Sequence, residues 1–273
     1  MLFHTFLHIP GVGDRIEQML WRNNILTWDD FLESPESQRL VGSRYRTMKK
    51  YIEKSRQNLD NIYFFKKLLP SRELWRLFHQ FREKAACLDI ESIYVNSIHE
   101  ITVIGLYGNN QMKSFINGLN IEDFKEEITG YDLLITYNGV CFDLPVLRER
   151  LVMSFPHVHV DLRFFLKRLG FTGGLKGIEK DFGIMRSEEI RGLTGYDAVL
   201  LWKKYLKGNQ QALDTLLEYN TSDTRNLRYL MERSYELMFK SIFPDSQDAL
   251  SLESAVTESA APGADCLPSC RQP

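Results

Sequence analysis

The stretch Cys87-Leu88-Asp89-Ile90-Glu91 narrows the possible folds more than any other part of the chain. The small residues Ala85 and Ala86 lead into it, and its own residues alternate in polarity. In a strand, side chains two apart share a face, so Asp89 and Glu91 stand together while Leu88 and Ile90 point the other way. Two carboxylates held that close raise each other's pKa unless a cation sits between them. A hard divalent ion such as Mg2+ or Mn2+ prefers oxygen ligands and suits the position. Taken alone, the stretch reads equally as an exposed strand face carrying two solvated acids. The metal reading therefore depends on further carboxylates converging there.

The pattern after Glu91 places this strand in an α/β domain. Residues 101–107 form a second strand, Gly108-Asn109-Asn110 signals a turn, and residues 112–116 complete a hairpin. Residues 121–128 suit a short helix. Leu133-Leu134-Ile135-Thr136-Tyr137 is a continuous apolar run of the kind a buried strand shows, and it ends at Asn138-Gly139. Phe142-Asp143-Leu144-Pro145 opens a helix to about residue 152. A short strand spans 158–160, Asp161 starts a helix over 162–169, and the chain is helical from there to about residue 239. An antiparallel opening followed by alternating helices and strands predicts a mixed sheet flanked by helices.

The first part of the chain reads differently. Pro10-Gly11-Val12-Gly13 precedes the helical pattern Ile16, Met19, Leu20, and a further helix is expected near Trp28. A Pro-Gly-x-Gly turn between short helices resembles the helix-hairpin-helix motif. There Gly11 and Gly13 let the backbone approach a phosphate, with free N–H groups of the next helix facing it. An ordinary glycine turn in a helical cap is the other reading. Residues 36–80 are helical in pattern, with a basic stretch at Arg44, Arg46, Lys49, Lys50, Lys54 and Arg56 that reads as a solvated face. Pro70-Ser71 breaks the pattern, and a new helix is expected over 73–81. The organisation is thus a small helical region over 1–80, an α/β domain over 81–240, and a tail over 241–273. That tail is rich in Ser, Ala, Pro and acids and reads as disordered.

Composition sets limits on partners and location. The 273 residues carry a net charge of −2, so nucleic-acid binding must rest on local basic patches. No apolar run is long enough to cross a membrane, and no secretory signal is visible. Cys87 and Cys141 are expected to be buried, and Cys266 and Cys270 lie in the polar tail. With no disulfide framework and no zinc spacing, a reducing cytoplasm is the expected location.

Two further acids extend the argument. Asp143 follows the end of a buried strand, where ligand sites of α/β sheets gather. On its own it reads as the N-cap of the helix it opens. Asp223 lies seven residues from Leu216 and Leu230 and four from Leu227, on one apolar helical stripe. A carboxylate facing a core needs a hydrogen-bond partner or a cation. Tyr219, four residues earlier, shares its face.

Asp89-x-Glu91, Asn138-x-x-x-Phe142-Asp143 and Tyr219-x-x-x-Asp223 resemble, in order and approximate spacing, the three exonuclease motifs of the DEDD superfamily, Tyr-type subgroup. The resemblance covers roughly residues 84–238. With the Pro-Gly-Val-Gly segment and the Gly-Leu-Lys-Gly-Ile-Glu run at 174–179, the chain is most similar to the YprB-type ribonuclease H-like family. One departure stands beside the first motif: such enzymes commonly carry Thr and Gly there, and this chain has Ser92, Ile93 and Tyr94.

The resemblance implies a ribonuclease H-like fold and 3′–5′ exonuclease activity on DNA or RNA ends. It implies two Mg2+ or Mn2+ ions held by Asp89, Glu91, Asp143 and Asp223, with Tyr219 orienting the attacking water. Asn138 and Phe142 are expected to position the terminal nucleotide, and Gly11 and Gly13 to contact its backbone. Asp161 reads as a helix N-cap, and Lys176 and Arg191 as surface charges. The alternative is an inactive nucleic-acid-binding scaffold, which is expected to have lost at least one acid. All four are present.

Overall fold

The computed structural model describes residues 1–243. The tail expected to be disordered, with Cys266 and Cys270, lies outside the described residues from position 244 onward.

The sheet has five strands: β1 (Ala85–Val95), β2 (Ile98–Gly108), β3 (Gln111–Ile116), β4 (Leu133–Thr136) and β5 (Val158–Asp161), in the order β3-β2-β1-β4-β5. β1, β2 and β3 pair antiparallel. Their two turns, Asn96-Ser97 and Asn109-Asn110, hold φ of 49°, 66°, 51° and 58°. Positive φ at both central residues matches hairpin twist to strand twist, and asparagine tolerates it. β4 and β5 join parallel to β1 and to each other, which requires crossovers through helices. The sheet is therefore mixed, as the alternation of elements predicts.

Five helices precede the sheet: α1 (Asp14–Arg22), α2 (Trp28–Glu33), α3 (Pro35–Val41), α4 (Tyr45–Arg56) and α5 (Ile62–Lys66). Thr27 and Asp30 form a capping box on α2, and Ser34 with Pro35 starts α3. The glycine turn at 10–13 is preceded by a 3-10 turn, Leu2–His4, and followed by α1 and α2 at the places of the two expected helices. One expectation fails in this region. The helix expected over 73–81 is a 3-10 helix, Ser71–Leu77. Its winding eclipses residues three apart, which places Glu73 and Arg76 side by side and buried, 2.8 Å apart.

Six helices follow among the described residues: α6 (Phe124–Glu127), α7 (Asp143–Leu151), α8 (Leu162–Arg168), α9 (Leu175–Asp181), α10 (Gly195–Tyr205) and α11 (Gln210–Ile242). The expected helical run to residue 239 is broken over 182–194, where Gly183 and Gly192 take φ of 72° and 84°.

The two faces of the sheet are covered differently. Leu88, Ile90, Ile104 and Leu134 pack with Phe124, Leu144 and Leu147 of α6 and α7. On the other face, Ile135, Val158 and Val160 share one cluster with Trp28, Phe65 and Trp75 of the helical region and Leu227 and Leu230 of α11. Val103 packs with Trp202, Leu213, Leu216 and Tyr219 in a third cluster. α11 therefore spans two apolar clusters, and its middle turn lies between them.

Candidate active site

Leu216, Asp223, Leu227 and Leu230 are all buried along α11, as the helical stripe predicts. The polar turn between its apolar contacts, Asn220, Asp223 and Thr224, faces β1 and β2. Close approach there depends on one residue. Gly105 pairs with Asp89 across the sheet. A Cβ at Gly105 would stand 2.2 Å from Thr224 Oγ1 and 2.3 Å from Asn220 Oδ1. The absence of that carbon lets Asn220 Nδ2 reach Asp89 Oδ2 at 3.0 Å. Replacing Gly105 with Ala is expected to lower stability by about 1–3 kcal/mol through overpacking, read by urea unfolding. A neutral substitution would mean that α11 does not press on β2 there.

Asp89, Glu91 and Asp223 each offer a carboxylate oxygen, and these oxygens lie within 4.8 Å of one another. Asp143 is the first residue of α7 and is buried, but it stands outside that threefold group. Its Oδ1 accepts a hydrogen bond from the backbone N–H of Ile90 at 3.1 Å, tying α7 to the residue between the first two acids. The pairing of β1 with β2 slips immediately after Glu91. There Ser92 Oγ lies 3.3 Å from His99 Nδ1, and the His99 ring meets Phe142 edge-on at 5.1 Å. Ser92, the first of the three residues that depart from the expected Thr and Gly, is thus linked through His99 to Phe142.

The acids carry more negative charge than their surroundings favour. Burial, then the charges of Asp223, Asp143 and Glu91, holds the Asp89 carboxyl well above the usual carboxylate range. Burial and Asp223 push Glu91 up to about 8. Burial also pushes Asp143 up to about 7. For Asp223, burial outweighs the opposing Arg186 charge, and its pKa too is raised. An all-oxygen donor set that holds its charge at this cost fits a hard divalent cation.

A pH dependence follows. A carboxyl raised in the folded state keeps its proton while the unfolded chain loses one. Stability is therefore whole below about pH 4 and is lost as pH rises through the folded pKa. In EDTA, Glu91→Gln is expected to be more stable than the parent by a margin that grows from about pH 5 to about pH 8 and then levels off. Paired thermal melts check this, and a margin that shrinks with pH would contradict it.

Two cations stand at these acids. Lys176, expected at the solvated surface, is half-buried instead. Its Nζ donates to Tyr219 Oη at 2.7 Å, lies 4.4 Å from the ring centroid, and also meets the Leu193 carbonyl. Burial lowers its pKa. Arg186 donates through Nε and Nη2 to the two oxygens of Glu179, both at 2.7 Å, and Nη2 also meets Asp223 Oδ1. Burial works against its charge, but Glu179 and Asp223 outweigh that and keep the guanidinium protonated. Burial and the charges of Asp223, Glu91 and Asp89 raise the Tyr219 pKa, so its hydroxyl keeps its proton.

The remaining predicted residues are placed as follows. Asn138 follows β4 in a turn with φ of 66°, its N–H bonded to Asp161 Oδ1 at 2.8 Å and its Oδ1 to Arg163. Asp161 caps α8 through the Arg163 N–H, as expected, and also accepts from Val140 N–H at 3.1 Å, so it fixes the turn leading to Asp143. Arg191 is exposed. Cys87 is buried, whereas Cys141 is exposed, because it sits in the open turn between β4 and α7. Gly11 and Gly13 belong to the exposed turn that opens α1 and not to the acidic group. Reasoning from sequence missed Gly105, Glu179, Arg186 and Asn220. A visible signal existed for Asn220 and Thr224, which are polar on the same stripe as Asp223.

A family model described as RNase_H superfamily matches residues 86–235. Among solved structures, the family B DNA polymerase from the hyperthermophilic archaeon Pyrobaculum calidifontis is similar at 17% identity and a TM-score of 0.46, over 56% of this chain and 24% of the polymerase. The Aedes aegypti Nibbler EXO domain is similar at 11% identity and a TM-score of 0.44, over 66% of this chain and 91% of its own. No curated protein sequence matches the chain.

Proposed function

The chain belongs to the ribonuclease H superfamily, and we propose that it is a divalent-metal-dependent nuclease that removes nucleotides from nucleic-acid 3′ ends. The observation that carries this reading is the convergence of Asp89, Glu91 and Asp223 oxygens within 4.8 Å, with Asp143 beside them. Asp89, Glu91 and Asp223 would hold Mg2+ or Mn2+, and Asp143 would complete the donor set for a second ion. Such ions supply an activated water and offset the charge that develops on the phosphate.

The chain's own residues set the geometry. β1 fixes Asp89 and Glu91 on one face, Asn220 holds Asp89 from α11, and Ile90 N–H holds Asp143. Tyr219, one helical turn before Asp223, keeps its proton and orients the attacking water by hydrogen bonding rather than acting as base. Asn138 and Phe142 would stand beside the terminal nucleotide. Gly11 and Gly13, exposed ahead of α1, would contact backbone phosphate.

The test is incubation of the purified protein with 5′- and 3′-end-labelled single- and double-stranded DNA and RNA in Mn2+, Mg2+ or EDTA. Stepwise shortening from the 3′ end that needs metal is expected. Full cleavage in EDTA, or first release of the 5′ nucleotide, would overturn the reading.

A further inference from the structure

Arg186 has hydrogen-bonding capacity that its partners leave unused. Its side chain is 8% exposed. The side-on edge, Nε and Nη2, is filled by the two oxygens of Glu179. Glu179 is itself buried and accepts from Asn226 Nδ2 at 2.9 Å, so the fork has a fixed base. The end-on edge, Nη1 and Nη2, is half-used: Nη2 meets Asp223, and Nη1 is buried with no partner among the described residues. An open guanidinium edge inside a buried site is shaped for a second anion with two oxygens, a carboxylate or a phosphate. Its present acceptor, Asp223, is also one of the three acids whose oxygens converge. A guanidinium and a divalent ion compete for that carboxylate.

We propose that Arg186, clamped by Glu179, is a ligand for a phosphate of the nucleic-acid substrate. Its end-on edge rests on Asp223 while the acids lack metal, and passes to phosphate oxygens when a divalent ion takes Asp223. Glu179 is the positioning residue that keeps Arg186 in the site once it leaves Asp223. This rests on the nuclease reading above.

The test is calorimetric titration of the full chain with Mn2+, together with cleavage of a labelled oligonucleotide at saturating Mn2+. R186Q removes the competing cation, so it is expected to bind Mn2+ about ten-fold more tightly while cleaving at least about ten-fold more slowly. E179Q keeps the guanidinium but removes its resting partner, so displacement from Asp223 is harder and Mn2+ binding is expected to weaken. The two substitutions thus move metal affinity in opposite directions, which general loss of packing would not do. Shifts in the same direction, or wild-type cleavage by R186Q, would overturn the proposal. If R186Q fails to fold, R186K keeps the charge without the two-pronged edge and is expected to raise KM for the oligonucleotide. An unchanged KM would overturn the proposal. Absence of Mn2+ binding in the parent protein would instead sink the nuclease reading, and this proposal with it.

Discussion

Replacing Asp223 with Asn is expected to lower cleavage by about a hundredfold or more while leaving the metal-free protein as stable as the parent, or more so. The two effects have one cause. Asp223 lies among Asp89, Glu91 and the core-facing leucines of α11, where burial raises its pKa despite the Arg186 charge. The charge of Asp223 is therefore held at a cost in the folded protein, and Asn supplies a neutral group of the same shape that still accepts from Arg186. With metal present the balance reverses, because a ligand oxygen of full charge has been lost. Stabilisation by Mn2+, which reflects binding to the folded state alone, should shrink accordingly. Cleavage should fall by the amount typical of losing one electrostatic contact to the reacting group, about 10²–10³. Thermal melts with and without Mn2+, alongside cleavage rates, provide the check. A destabilised metal-free variant with an undiminished Mn2+ shift and normal cleavage would show Asp223 to be a structural acid.

The second large effect lies away from the acids. Arg76 Nη1 donates to Glu17 at 2.8 Å and to Thr5 Oγ1 at 2.9 Å, and its Nε donates to Glu73 at 2.8 Å. Arg168 of α8 reaches the same Glu73 at 3.0 Å. The side chains of Arg76, Glu17 and Glu73 are at most 4% exposed. This group joins α1, the 3-10 helix at 71–77 and α8, and so ties the helical region to the sheet domain. Arg76→Met keeps most of the volume but leaves the buried Glu17 carboxylate without its cation, while Glu73 keeps Arg168. Removing one partner of a buried ionic group costs about 3–5 kcal/mol, a large part of the roughly 5–15 kcal/mol that holds a domain folded. Burial already raises the Glu17 pKa against the opposing Arg76 charge. Without Arg76 it should rise further, so the loss is expected to be greater at about pH 8 than at about pH 5. Urea unfolding of R76M and of R76M with E17Q measures this, and a loss under about 1 kcal/mol would show the group to be dispensable.

Which parts of this were legible in the sequence follows from the range of the interactions. Local patterns carried the strands β1 to β5, the turn at Asn109-Asn110, α7 and α8, and the placement of Asp223 on an apolar stripe. Each depends on side-chain period or turn chemistry within a few residues. The helix expected over 73–81 failed because its winding answers to Glu17 and Arg168, which are distant in sequence. Lys176 was misplaced at the surface for the same reason: the tyrosine hydroxyl that holds it lies 43 residues away.

The sequence by itself determined the kind of sheet, the faces of its strands, and four acids in an order that resembles a known set of motifs. Those are consequences of periods of two and 3.6 residues, which any segment carries within itself. Only the tertiary structure decided which oxygens meet. It brought Asp89, Glu91 and Asp223 into one group and set Asp143 beside them on the Ile90 amide. It also supplied Gly105 as the space that lets α11 close on β2, and seated Arg186 between Glu179 and Asp223. Distances between segments depend on how whole elements pack, and a buried charge acquires its partner only when that packing is complete.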